Sequence, residues 1–343
     1  MLRRTGLCSP DRCHTPVIHM PYATQIAISA RSEGPHMQQS PPGAALPTPA
    51  REAPDNARGL AWMLFSVVTA SAMSVAVRFV SEEVDSRMIV TLRAGITTLI
   101  LLAIFPLIRG RLRFTSPRDH LLRGALIGFS THLGFYTLAE LPLATATVLF
   151  FTAPIFATIL AAAFQDERVG PRRWGAVSAG FAGAIVILRP GFEGLDPAML
   201  AALGSSLLFA VALSMSCRVA QADGPVSAFA SSVVVTLVLS VPLALPVWDM
   251  PQSGVGWAAV AVLVICGAAR NVGDIQAYRY ADAGLLAPVT YLRLVLIGGA
   301  GYVLFDEGID GPTAAGAALI VASTLYIAHR ARVTSSKSGG AAP

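Results

Sequence analysis

Residues 60–78 read LAWMLFSVVTASAMSVAVR, and residues 200–218 read LAALGSSLLFAVALSMSCR. The second stretch repeats the pattern of the first at an offset of 140 residues. Shared alanine and leucine are common in apolar helices, but shared polar residues in register are much harder to obtain by chance. The identical polar positions are Ser66 and Ser206, Ser74 and Ser214, and Arg78 and Arg218.

An acidic pair recurs at the same offset, far downstream in each copy. Asp166-Glu167 in the first copy matches Asp306-Glu307 in the second. Strongly hydrophobic units that occur twice in one chain are typical of membrane proteins with internal repeats, and such repeats are common among transporters. The repeat therefore predicts two similar membrane units and favours transport.

Composition places the chain in the membrane. Of its 343 residues, 54% are hydrophobic and 13% are charged, and the mean hydropathy is +0.61. Soluble domains carry roughly 25% charged residues, so this chain has too few to cover a surface that faces water. We interpret the net charge of +5 as a signal of membrane orientation, and we expect no nucleic-acid partner.

Ten stretches approach the length of about 20 apolar residues that a helix needs to cross the hydrocarbon core. We therefore predict an all-α integral membrane protein with ten transmembrane helices. The predicted spans are 59–80, 88–108, 121–139, 143–164, 172–188, 198–218, 226–247, 255–276, 284–305 and 312–329.

The two ends of the chain differ from the rest. Residues 1–57 mix Pro, Ser, Gln and His and contain no long apolar run, so we expect a disordered cytoplasmic tail and no cleaved signal peptide. Residues 331–343 are predicted to form a second, short cytoplasmic tail. Between the tails, we expect repeat 1 over residues 58–190 and repeat 2 over residues 196–330, with five helices each.

Basic residues predict the orientation, because Arg and Lys are enriched in cytoplasmic loops. With the N-terminus inside, the inner loops and flanks hold fourteen Arg and Lys residues, whereas the outer loops hold Arg87 and Arg189. Both termini are therefore expected in the cytoplasm of a bacterial-type inner membrane. Since five helices is an odd number, the second repeat is inverted relative to the first, which is the symmetry that alternating access uses.

Motifs for catalysis are missing from the sequence. The single lysine, Lys337, lies in the tail, so no Walker A loop is present, and neither His-Glu-x-x-His nor Gly-x-Ser-x-Gly occurs. We expect no enzyme activity, no cofactor and no metal site. Energy for transport would come from a gradient or from exchange.

Several motifs carry a resemblance to a known family. Residues 141–147 read LPLATAT, 152–156 read TAPIF, and Asp166-Glu167-Arg168 and Trp174-Gly175 follow; residues 287–291, APVTY, and 304–307, LFDE, match the second half. These motifs resemble the EamA-type unit of the ten-helix drug/metabolite transporter superfamily over residues 59–330. The resemblance implies a cavity lined by helices one, three and four of each copy. It also implies a substrate among amino acids, vitamins, cofactor-like molecules, sugars or drugs.

Charged side chains at membrane depth are functional candidates by default. In the eighth span, Arg270, Asn271 and Asp274 share one helical face, and Arg270 and Asp274 have the spacing of an ion pair. The alternative is a pair that only neutralises itself. Arg293 lies near the middle of the ninth span, too deep to reach an interface, so it faces either a cavity or a protein partner such as Asp274. Arg93 either joins the cavity or extends to the outer interface.

Other candidates carry weaker signals. In the third span, His132 and Tyr136 lie four residues apart on one face, and His132 is either a proton-linked group or a histidine hydrogen-bonded between helices. Tyr291 offers a ring and a hydroxyl to a substrate or faces the lipid. Pro154 and Pro288 break backbone hydrogen bonding and line a cavity or are packing kinks. Arg78 and Arg218 are interpreted as interfacial anchors.

The function that we predict is secondary transport of a small polar organic metabolite by alternating access. An excess of positive charge in the expected cavity favours a substrate with a carboxylate or phosphate, such as an amino acid, an organic acid or a vitamin-like or cofactor-like molecule. This excess comes from Arg93, Arg270 and Arg293, with Asp274 as the single acidic residue. The alternatives are a non-transporting membrane scaffold or sensor, and an efflux protein for cationic drugs or amino acids. The expected partners are the small-molecule substrate and the lipid bilayer; coupling to a proton or counter-substrate, and a homodimer, stay open.

Overall fold

The computed structural model describes residues 55–164, 170–188, 196–281, 286 and 289–339, and this part of the chain is helical with no β-strand. The tail to residue 54, Asp166-Glu167 and Pro288 lie outside the described residues. Two short 3-10 turns, Arg109–Arg111 and Leu245–Val247, follow helices. The helices are α1 Asn56–Ser81, α2 Ser86–Ala103, α3 Phe105–Ile108, α4 Pro117–Glu140, α5 Leu143–Phe150, α6 Ala153–Phe164, α7 Pro171–Leu188, α8 Pro197–Ala244, α9 Gly254–Tyr280, α10 Leu292–Phe305 and α11 Gly311–Gly339.

All ten predicted spans fall on these helices, although the boundaries differ. Among the described residues, six helical segments are long and apolar enough to cross a membrane, three shorter ones are apolar, and α4 is the more polar remainder. A turn at Tyr291 interrupts the ninth predicted span: residues 286, 289 and 290 before it are helical, and α10 begins after it at Leu292. At the end of the chain, α11 continues to Gly339, beyond the predicted end at residue 329.

Two breaks in the helices have clear local causes. α8 contains the sixth and seventh spans, which meet at Gly224, whose φ of 84° suits glycine, and at Pro225, which has no N–H to donate. The fourth predicted span is divided into α5 and α6 at Phe151 and Thr152, just before Pro154. Pro154 therefore starts a helix and does not bend the middle of one.

Close helix pairs repeat between the two copies. α1 packs on α9, where Gly273 lies against Ser66, and α4 packs on the first half of α8, where Gly134 lies against Ser205. The 140-residue offset relates α1 to the first half of α8 and α4 to α9. One helix pair is therefore used twice in the fold.

The ends of these helices show that the copies run in opposite directions. Arg78, in the last turn of α1, donates to the carbonyl oxygen of Ala139 near the end of α4. Thr137, in the same part of α4, lies 3.2 Å from the carbonyl oxygen of Ala198 in the first turn of α8. The end of α1 and the start of its counterpart α8 thus lie at the same end of α4, and the predicted inverted repeat is confirmed.

The core lies between the two copies. Val77 of α1, Ile89 of α2, Leu149 of α5, Leu263 of α9 and Ile297 of α10 are fully buried in one cluster. Large apolar side chains also cover the outside of the bundle, as expected where lipid replaces water. Examples are Leu107, Ile265, Val295, Tyr302 and Val303.

Glu83 joins the turn after α1 to the start of α9. Its carboxylate accepts hydrogen bonds from the hydroxyl and the backbone N–H of Ser253 and from the backbone N–H of Gln252. The hydrogen bonds from Ser253, chiefly that from its hydroxyl, hold the pKa of Glu83 below its usual range. This contact is therefore complete at neutral pH and is lost only as the pH falls through that lowered pKa.

Glycines let α7 and α11 approach closely, as small residues do in membrane bundles. A Cβ added at Gly183 would lie 2.8 Å from the carbonyl oxygen of Gly316 and 2.9 Å from Cβ of Leu319. Gly175, on the same helix, has open space around it and makes no such contact. Gly183 is therefore a close-packing position between the two helices, and Gly175 is not.

We expect Gly183→Val to lower the free energy of unfolding by about 1–3 kcal/mol, the usual cost of overpacking. Gly175→Val makes the same chemical change on the same helix, so it is the control for the intrinsic cost of valine. The measurement is the midpoint of thermal unfolding in detergent. Equal midpoints for the two variants would contradict the close contact of α7 with α11.

Candidate functional site

Arg270 and Asp274 form the predicted pair on α9. Nε of Arg270 lies 3.7 Å from Oδ2 of Asp274, and both side chains are about one third exposed. Ser66 of α1 donates its hydroxyl to Oδ1 of Asp274 and lies 3.4 Å from the carbonyl oxygen of Arg270. The carboxylate is therefore held from two helices.

Arg293 points toward α1 from the first turn of α10. Its Nη2 donates to Oγ of Ser74 at 3.0 Å. Its Nε is buried and has no acceptor among the described residues. Because a guanidinium stays charged in a protein, this unpaired donor is available to an oxygen of a bound molecule. The structure gives Arg293 a hydroxyl as its hydrogen-bond partner, where the competing interpretation named Asp274.

Arg93 lies inside the bundle and not at the outer interface. Its guanidinium stands 5.6 Å from the ring centroid of Phe135 on α4, in the geometry of a cation–π contact. Gly267 of α9 leaves room beside it, since a Cβ there would lie 3.7 Å from Nε of Arg93. Arg93 is thus held between α2, α4 and α9.

The four charged side chains act on one another. Arg270 repels both Arg93 and Arg293, and Asp274 attracts Arg293. We name these four residues, Arg93, Arg270, Asp274 and Arg293, the arginine cluster; three of them are cationic, and the single carboxylate is paired with Arg270. An excess of positive charge in a medium of low dielectric constant attracts anions strongly. The arrangement suits a carboxylate or a phosphate.

Three further predicted candidates have surroundings of their own. His132 Nε2 lies 2.8 Å from the hydroxyl of Ser240 on α8. Tyr136 is exposed at 36%. Asn271 is also exposed, and its Nδ2 donates to the carbonyl oxygen of Gly267 within its own helix at 3.1 Å.

Tyr291 points away from the arginine cluster. Its ring packs on Phe151 with centroids 4.9 Å apart, and its hydroxyl makes a hydrogen bond with Thr324 of α11. Phe151 and Tyr291 are equivalent under the 140-residue offset, and each stands at a helix break. This pair therefore contributes to the contact between the copies.

Two residues of the cluster's surroundings were missed by sequence reasoning. Ser66 and Ser74 hold Asp274 and Arg293, and they are eight residues apart, so they lie on one face of α1. Their signal was present, because both serines recur in the second copy. Serine is common in membrane helices, however, and its partners lie more than 200 residues away.

Comparison with known proteins agrees with this architecture. Residues 57–189 match the EamA-like transporter family. An S-adenosylmethionine uptake transporter of Rickettsia felis is 32% identical over 79% of this chain and 92% of its own length. A riboflavin transporter of Vibrio cholerae is 30% identical over the same shares of the two chains.

More distant matches extend the likeness. A pseudopaline exporter of Pseudomonas aeruginosa is 25% identical over 79% of this chain and 96% of its own. A solved crystal structure matches with a TM-score of 0.56 at 23% identity, over 81% of this chain and 99% of that one, which shows a shared fold. The bacterial relatives and the apolar helices indicate a multi-pass inner-membrane protein. The chain belongs to the EamA-like transporter family.

Proposed function

We propose that this protein is a secondary transporter that moves a small organic metabolite bearing a carboxylate or a phosphate across the inner membrane. The observation that carries the proposal is Arg293, whose buried Nε has no acceptor among the described residues, in an arginine cluster that holds three guanidinium groups and one carboxylate. Buried charges without compensation are costly in a bilayer. An anionic group on the substrate supplies that compensation.

Arg293 is the residue that we assign to the substrate's acid group. Its buried Nε lacks an acceptor in the described structure, while Ser74 orients the rest of the guanidinium. Two parallel N–H donors of one guanidinium match the two oxygens of a carboxylate or phosphate. Asp274, held by Ser66, offers a counter-charge to an ammonium group, so an amino-acid moiety suits the site.

The names of the relatives are compatible with this assignment. S-adenosylmethionine, named for the rickettsial relatives, contains such an amino-acid moiety. Riboflavin, named for the Vibrio relative, has no ionised group at neutral pH. The two molecules therefore differ in the group that an arginine could bind. The residues of this chain favour S-adenosylmethionine, which carries the acid group.

Both alternative functions conflict with the arginine cluster. A cationic substrate without an acid group would give these arginines nothing to bind, whereas S-adenosylmethionine offers a carboxylate although its sulfonium and ammonium groups make it a net cation. A scaffold without transport requires a dry interior in which protein groups satisfy every arginine, whereas Nε of Arg293 meets no acceptor in the described residues. Uptake and export are both compatible with the site, since the relatives include an exporter.

The proposed mechanism is alternating access by two inverted units, residues 58–190 and 196–330. Support comes from the helix pair α1–α9, which recurs as the pair of α8 with α4. Equivalent contacts at opposite ends allow the two units to exchange conformations. The distribution of Arg and Lys supports an orientation with both termini in the cytoplasm.

Matched ligands test the acid group directly in proteoliposomes. We expect S-adenosylmethionine to be carried at least about tenfold better than its decarboxylated form, or riboflavin 5′-phosphate better than riboflavin, because one charge-assisted hydrogen bond is worth about 1.5–3 kcal/mol. Arg293→Gln removes this preference, whereas Arg58→Gln, an exposed arginine at the start of α1, keeps it. The readout is the initial rate of uptake and its inhibition by the matched ligand. A preference that survives Arg293→Gln would sink the assignment.

Ser74→Ala tests the orientation of Arg293. Without the hydroxyl, Nη2 loses its acceptor, and we expect the KM for the acid-bearing ligand to rise about three- to tenfold, the effect of losing about 1 kcal/mol of hydrogen bonding. Ser71→Ala is the matched control, since the Ser71 hydroxyl donates to the Val67 carbonyl oxygen within α1. An equal change in KM for both variants would mean that Ser74 serves only the helix.

A further inference from the structure

Arg78 joins three helices at one end of the bundle. Its Nη1 donates to the carbonyl oxygen of Ala139 on α4, and its Nη2 lies 3.6 Å from Oε1 of Glu307, just after α10. The guanidinium also lies 6.0 Å from the ring centroid of Phe305. The sequence interpretation of Arg78 as an interfacial anchor leaves these contacts out, because its side chain is turned inward and is 25% exposed.

Glu307 is held in place by the backbone around it. It follows Asp306, whose φ of 55° turns the chain sharply after α10, and its own N–H donates to the carbonyl oxygen of Gly301 at 3.1 Å. Its Oε2 accepts the N–H of Leu143 at 2.7 Å, at the start of α5. Its Oε1 is buried and accepts no hydrogen bond among the described residues, so the charge of Arg78 is what offsets it.

The Arg78–Glu307 pair therefore links the two copies at this end of the bundle. Arg78 and Ala139 and Leu143 belong to the first copy, whereas Glu307 belongs to the second. Arg78 stands four residues after Ser74, which is one turn further along the same face of α1. The pair thus lies between the arginine cluster and the end of the bundle that carries Glu307, which we name the Glu307 face.

We propose that Arg78 and Glu307 are the gate residues of the Glu307 face and that this gate is closed in the present structure. The assignment rests on the proposed transport function, and it adds the residues that control access to the arginine cluster. A surface recess of about 600 Å³, lined by Arg78, Ser81, Glu82 and residues 303–306 among others, borders the pair.

The other end of the bundle differs in the way that alternating access requires. The repeat equivalent of Arg78 is Arg218, which is exposed. Arg270 and Asp274 are 36% and 33% exposed, against 11% for Glu307. Partly exposed charges at membrane depth must border a water-filled path. In the proposed gating, the arginine cluster is therefore reached from the end opposite the Glu307 face.

Thiol labelling tests the gate without any substrate. The reporter is Gly267→Cys in the full chain, with Cys8, Cys13, Cys217 and Cys266 replaced by serine; a Cβ at Gly267 lies 3.5 Å from Sδ of Met73, an ordinary contact. A membrane-impermeant maleimide is added to intact cells and to inverted membrane vesicles. Both faces are sampled, so the result does not depend on orientation.

We expect the reporter to react from one side only in the otherwise unchanged protein. Arg78→Gln and Glu307→Gln should each raise the rate of labelling from the protected side about tenfold, a shift of about 1.4 kcal/mol in the closed-to-open equilibrium. The double variant should react no faster than either single variant, since both remove one interaction. Arg87→Gln, which removes an ion pair with Asp85 in the same turn region that does not join the copies, should leave the rate unchanged.

Three results would overturn the gate: rapid labelling from both sides in the reporter background, unchanged rates in both single variants, or additive effects in the double variant. If a glutamine variant does not reach the membrane, Arg78→Lys and Glu307→Asp are used instead. These changes keep the charges but shorten the side chains, so they should weaken the contact and raise the labelling rate by a smaller factor. Failure of the transport assays leaves this measurement valid. The two proposals therefore fail separately.

Discussion

An arginine cannot lose its charge at membrane depth, and this constraint organises the structure from the lipid inward. Arg123 shows how a buried guanidinium is satisfied by the protein alone: it donates to the hydroxyls of Ser216 and Ser232 and to the carbonyl oxygen of Ala228, at 2.6–2.8 Å. Arg293 is equally confined by its helix, yet its Nε finds no acceptor in the described structure. The difference between these two arginines separates a structural contact from a binding site.

The parts of this fold that follow from short-range patterns were predictable. The inverted repeat was predictable because it follows from features that can be counted along the chain. These features are the ten apolar stretches, the 140-residue offset and the bias of the basic residues. The ion pair of Arg270 with Asp274 was predictable for the same reason, since both lie on one helix. The turn at Tyr291, which precedes α10, was not predictable from the sequence, because Tyr291 packs on Phe151 and on Thr324 of α11, which are distant along the chain.

Contacts between distant segments account for what sequence reasoning missed. Arg93 meets Phe135 and Gly267, and Arg78 meets Glu307, across separations that no periodicity reports. The sequence marked Arg78 and Glu307 as repeated residues without indicating that they meet. For His132 and Tyr136, the shared helical face was predictable, but the neighbour of that face was not: His132 contacts Ser240 on α8.

The same helix contact occurs in both copies, but its side chains differ. Where α4 meets α8, Ser130 and Ser205 exchange hydrogen bonds between hydroxyls and backbone, a neutral contact that fixes the helices. At the equivalent place where α1 meets α9, Arg270 replaces Ser130 under the offset, and Ser66 binds the Arg270–Asp274 pair. Because Ser66, Ser74 and Arg78 lie along one face of α1, a shift of this helix changes the grip on Asp274 and Arg293 together with the gate at Glu307. Under the two proposals, a substrate bound at Arg293 would act on the same helix that carries Arg78 of the gate, so α1 would connect the binding charge to the Glu307 face.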